Sequence, residues 1–101
     1  MDIFNVLSVL ARRSIVEMLA TKGDLSATDI SNKFSISPPA ISQHLKVLLD
    51  AKLVQVEKRG QQRIYHLNIE RIYECERWTQ KMTGLWNKRF DALDELLKNK
   101  K

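Results

Sequence analysis

The residues best equipped for chemistry are not a nucleophile and a base but a run of hydrogen-bonding and cationic groups. If 37–51 is helical, turning about 100° per residue, Ile41, Leu45 and Leu48 share one face. Pro39, Gln43 and Lys46 lie opposite, with Ala40 and Ser42 at the edges. That outer face has no large apolar group and no acid before Asp50. Gln43 offers a donor and an acceptor to a base edge, and Ser42 and Lys46 suit a base or a phosphate. The small residues Ser37, Pro39 and Ala40 at the helix start allow close approach. Further on, Lys58, Arg59 and Arg63 stand against Glu57 in the 57–63 segment, a basic loop able to reach phosphates or a minor groove. No nucleophile is spaced with a base, no glycine loop could cradle a phosphate and no metal-ligand cluster appears, so an enzyme is not expected.

These groups need elements to hold them. Ile3, Phe4, Leu7 and Leu10 recur at helical spacing, which predicts a first helix over about 2–10 with its clearest part between Asp2 and Ser8. A second helix runs over about 11–21 around Ile15, Met18 and Leu19, and Gly23 follows it as a C-terminal stop. A short third helix starts at the capping-box-like Ser26-Ala27-Thr28-Asp29 and points Ile30 and Phe34 inward. Ser37 is a good N-cap for the fourth, with Pro38 at the first helical position. Leu53, Val54 and Val56, then Ile64, Tyr65 and Leu67, form two strands around the polar 57–63 turn. Asn68 starts a last helix over about 69–98, with apolar spacings of three and four from Ile72 and Cys75 through Trp78, Met82, Leu85, Trp86 and Phe90 to Leu93 and Leu97. Residues 98–101 are expected to fray. The fold class is therefore mainly α with a small β-hairpin. The third and fourth helices, joined by a short turn, form a helix-turn-helix candidate, and the basic hairpin beside them has the character of a wing.

The chain has 101 residues, enough for one domain, 1–101. Seventeen Lys and Arg against 12 Asp and Glu give a net charge of +5, which favours a polyanionic partner without proving one. Cys75 is the only cysteine, so no internal disulfide can form. The N-terminus is apolar early and basic late, the reverse of a secretory signal, and no apolar run is long enough to span a membrane. The expected location is cytoplasmic.

The stretch ISPPAISQHLKVLLDAKLVQVEKRGQQRIYHLN resembles the recognition helix and wing of the ArsR/SmtB family of repressors. The family pattern Ser-Gln-x-x-Val-Ser-Gln/His-His-Leu-Lys-x-Leu is met by Ser37, Ile41, Ser42, Gln43, His44, Leu45, Lys46 and Leu48, and its second-strand Tyr-x-Leu by Tyr65 and Leu67. Arg12-Arg13-x-Ile15 also fits, so the resemblance covers nearly the whole chain. Two departures stand out. Pro38 replaces the family's Gln after the capping Ser, removing one base reader, and Val9-Leu10-Ala11 replaces an Asp-Pro-Thr break before the arginines. The resemblance implies a winged helix-turn-helix homodimer, its first and last helices at the dimer interface, that binds double-stranded operator DNA.

Many relatives in that family sense metals. The Glu-Leu-Cys-x-Cys-Asp-Leu pattern of one ligand set aligns with Asp24-Leu25-Ser26-Ala27-Thr28-Asp29-Ile30, where hydroxyls replace both thiols. The other set, Asp, His, His and Glu on the last helix, finds no histidine there. His44 and His66 are read as structural, and neither a cofactor nor a metal ligand is expected. Trp86-x-x-Arg89-x-Asp91-x-Leu93 resembles the last helix of family members without metal sites.

Ile3, Phe4, Leu7, Trp78, Met82, Leu85, Trp86 and Phe90 are the expected dimer contacts. Trp78 and Trp86 could instead line a ligand pocket, and Cys75 is either a small hydrophobe at an interface or a redox thiol. The choice between repressor and activator, and an unknown small-molecule or redox effector, stay open. The rival function is a protein-docking module without specific DNA binding, but a docking face wants aromatic or Met anchors, and the 37–51 helix shows Ser, Gln, Lys and Ala.

Overall fold

A computed structural model describes residues 2–99. Residues 100 and 101 of the expected frayed tail lie outside them. The elements are α1 (Ile3–Val6), α2 (Leu10–Lys22), β1 (Leu25–Ser26), α3 (Ala27–Asn32), α4 (Pro38–Asp50), β2 (Val54–Arg59), β3 (Gln62–Leu67) and α5 (Ile69–Lys98).

The first helix is shorter than its apolar spacing suggests. Asp2 caps it by accepting from the Phe4 N–H, and it stops at Val6. The Ser8 hydroxyl then donates to the Asn5 carbonyl, and Val9 is extended. A serine competing for a backbone group and a β-branched residue thus make the break that an Asp-Pro-Thr would make. Ile3 and Val6 are buried and Leu7 packs partly against the core, whereas Phe4 is exposed and Leu10 is exposed at the start of α2. Ile3 is therefore covered within its own protomer rather than part of an exposed stripe.

Ile15 and Leu19 of α2, Ile30 of α3, and Ile41, Leu45 and Leu48 of α4 meet Leu53, Val54 and Tyr65 in one core. β1 was not expected from the sequence. Two residues are too few for a period to show, yet Leu25 pairs with Tyr65 and Ser26 with Ile64, giving an antiparallel sheet in the order β1-β3-β2. The hairpin is also tighter than the polar run implies. Arg59 pairs with Gln62, which leaves only Gly60-Gln61 as the loop. Gly60 has φ 60°, and Gln61 is not among the positive-φ residues, the pattern of a type II′ turn with Gly first.

The C-terminus of α4 is built as a Schellman motif. The Leu53 N–H donates to the Leu48 carbonyl at 3.0 Å and the Lys52 N–H to that of Leu49 at 2.9 Å. Lys52 takes the left-handed position, φ 61°, that glycine usually fills. Asn68 precedes α5 as expected but does not cap it. Its Nδ2 donates to the Lys52 carbonyl at 2.8 Å, and its backbone N–H to that of Leu53. Arg71 Nε donates to the Ala51 carbonyl at 2.9 Å. The start of α5 is thereby clamped to the end of α4.

Beyond that clamp α5 leaves the domain. Ile72 and Cys75 still touch the core, but no residue of the helix is fully buried. The molecule measures 73 × 24 × 24 Å with a radius of gyration of 19.6 Å, against about 13 Å for a compact chain of this length.

Candidate nucleic-acid interface

α4 is anchored at its start by Ser37, whose Oγ accepts from the Ala40 N–H at 3.3 Å. That oxygen is therefore engaged in capping. With Ile41, Leu45 and Leu48 buried, Pro39, Ser42, Gln43 and Lys46 are exposed and Ala40 is half-buried, as the helical spacing predicts. Two concavities flank this face. A cleft of about 310 Å³ is lined by Ser42, Lys46 and Leu49 of α4 together with Arg63 and Tyr65 of β3. A groove of about 290 Å³ between α3 and α4 is lined by Thr28, Ser31, Asn32, Pro38 and Ser42. The sequence pattern does not single out Thr28 and Ser31 of α3 for DNA contact, although they share a helix face about one turn apart.

The sheet register divides the wing cations. Lys58 is directly opposite Arg63, on the face that also carries the Val56–Tyr65 and Val54–Leu67 pairs. Two like charges facing each other across strands repel unless an anion sits between them. Arg59 belongs to the other face. Its Nη2 pairs with Glu57 and approaches Asp24 at 3.8 Å. Arg63, Lys46 and Ser42 are thus brought together, whereas Arg59 is drawn away from them by two carboxylates.

Of the expected dimer contacts, Phe4 packs on Trp78 with ring centroids 5.1 Å apart, so α1 lies against α5 within one chain. Leu7 and Met82 are half-buried. Trp86 meets Phe90 edge to face at 4.9 Å, and the Arg89 guanidinium lies 5.5 Å from the Trp86 ring. Trp78, Leu85, Trp86 and Phe90 are each exposed by half or slightly more. Cys75 is half-buried, and burial pushes its thiol above its ordinary pKa, with the Arg71 charge opposing this and Glu74 adding to it. A thiol so placed is a poor nucleophile at neutral pH. Ser26, at the first of the family's thiol positions, is buried and caps α3 by accepting from the Asp29 N–H at 3.0 Å.

Helices α3 and α4 joined by a tight turn, with a basic hairpin alongside, define a winged helix-turn-helix DNA-binding protein. The sequence pattern of the "Bacterial regulatory protein, arsR family" matches residues 11–56. The transcriptional repressor SdpR of Bacillus subtilis (strain 168) is 35% identical over 77 residues, 76% of this chain and 84% of that protein. An arsenical resistance operon repressor of Staphylococcus xylosus is 40% identical over 68 residues, 67% of this chain and 64% of that protein. Among solved structures, an ArsR-like transcriptional regulator from Rhodococcus sp. RHA1 aligns with a TM-score of 0.81 at 26% identity, covering 93% of this chain and 88% of that one. The chain belongs to the arsR family of bacterial regulatory proteins. It is a DNA-binding transcriptional regulator and not an enzyme. No helix among the described residues is long and apolar enough to cross a membrane.

Proposed function

We propose that this chain is a dimeric repressor that binds a palindromic operator, inserting the 37–51 helix into the major groove and laying the 57–63 wing along the backbone. The observation that carries this reading is the cleft where Ser42 and Lys46 meet Arg63. One wall belongs to the helix that presents Gln43 outward, and the other to the hairpin whose Lys58 and Arg63 face each other. Base-edge donors and acceptors beside paired cations suit sequence readout with phosphate anchoring. Lys58 and Arg63 serve the backbone, and Ser37 fixes the start of the reading helix rather than touching a base.

The homodimer rests on the exposed apolar length of α5, from Trp78 to Phe90, which soluble monomers rarely leave bare. A second copy of the same stripe is its natural cover, with Phe4 and Leu7 extending it from α1. A repressor of this kind occludes a promoter by occupancy alone. Neither metal-ligand set described for the family is available to it, since Ser26 and Thr28 replace the thiols and α5 has no histidine.

Anisotropy titration with Gln43→Ala tests the reading. The substitution should cost about 1–3 kcal/mol on the preferred site and much less on random DNA. Equal losses on both would show that Gln43 does not read sequence.

A further inference from the structure

We propose that Asp24, Glu57 and His66 form a binding site for a divalent transition-metal ion on the outer face of the wing. Their donor atoms, two carboxylate oxygens and one imidazole nitrogen, lie within 4.8 Å of one another. The residues are far apart in sequence, and only the sheet unites them. Leu25 pairs with Tyr65, which puts Asp24 beside His66, while Glu57 projects from β2 on the same side. None of the three occupies a ligand position of either family set discussed above.

The site already attracts a cation. The Arg59 guanidinium pairs with Glu57 and stands 3.8 Å from Asp24, marking the cluster as a minimum for positive charge. Arg59 is a replaceable occupant, because its side chain is 59% exposed and exposed ion pairs are weak. A tetrahedral zinc with bonds of about 2.0–2.2 Å spaces its ligands about 3.4 Å apart, so the donors need to close by little more than an ångström. Asp24 and Glu57 are exposed, so once Arg59 leaves their side chains have room to move that far, and water completes the shell. The imidazole selects a first-row transition ion over Mg²⁺ or Ca²⁺, which prefer all-oxygen shells. Loading ties β1, β2 and β3 together at the base of the hairpin and expels Arg59.

Calorimetric titration of the chelator-treated full chain with zinc chloride tests this. One ion per chain is expected, with a rise in Tm on loading. His66→Gln and Asp24→Asn should each weaken binding by about tenfold or more, since removing even a group that only orients a ligand costs about that much. Arg59→Ala should tighten it several-fold by removing the competing cation, and Cys75→Ser should leave it unchanged. Circular dichroism of each variant separates lost ligands from lost fold. Absence of zinc uptake by the wild type, undiminished uptake by either well-folded donor variant, or weaker uptake by Arg59→Ala overturns the proposal.

Discussion

At the scale of single residues, the wing shows how two neighbours of the same charge come to different ends. Arg63 shares a cleft with Ser42 and Lys46, while Arg59 is held by Glu57 and Asp24 on the far face. Strand alternation decides this, and a basic loop read as a string of letters does not reveal it. The sequence treats 57–63 as a turn, so its cations have no faces. Once the strands extend to Arg59 and Gln62, each side chain is assigned to one. The functional consequence is measurable. Arg63→Ala should flatten the dependence of log K on log salt by about one unit, the effect of releasing one phosphate contact. Arg59→Ala should change the slope less, since its charge is already partly spent. Equal slopes for both variants and the wild type would remove the wing from the DNA backbone.

At the scale of elements, α4 was the most legible part of the chain. Ser37, Pro38 and the Ile41, Leu45, Leu48 stripe each act as local chemistry dictates. Start signals and a 3.6-residue period are written in the sequence itself. The ends of helices and the shortest elements were harder to read, because they depend on partners from elsewhere. β1 exists because β3 offers it an edge, and Asn68 gives its side chain to Lys52 instead of its own helix. The first helix misled in the same way. Apolar residues at helical spacing permit a longer helix, but Ser8 and Val9 end it, and Ile3 lies in the core. The clamp through Asn68 and Arg71 means that α5 fixes the C-terminal end of α4 directly. Lys52 at φ 61° is the strained point of that clamp. Lys52→Gly should keep every backbone bond of the motif and stabilise the fold by about 1 kcal/mol in urea denaturation. A loss of stability would show that the lysine side chain contributes more than its backbone conformation costs.

At the scale of the whole molecule, the proposed dimer would cover the bare outer half of a 73 Å rod. The composition gave no hint of this. The periodicity of the last helix points to the long exposed stripe, since its apolar spacings of three and four run on to Leu97. Burying one large side chain of that stripe contributes roughly 1.5–3 kcal/mol. Trp86→Glu should therefore place an unpaired charge in the interface and dissociate the dimer, leaving the helix-turn-helix core folded. Sedimentation at low micromolar concentration should show a wild-type dimer and a variant monomer. A wild-type species of 11.8 kDa would refute the dimer.

Dimerisation and DNA reading are one claim, because a two-fold pair of α4 helices must see a two-fold site. Selection of bound fragments from random double-stranded DNA, read by sequencing, measures it most directly. An enriched palindrome is expected, with half-site centres about one helical turn, roughly 34–36 Å, apart. Enrichment of an unsymmetric site, or no enrichment over random DNA, would contradict it.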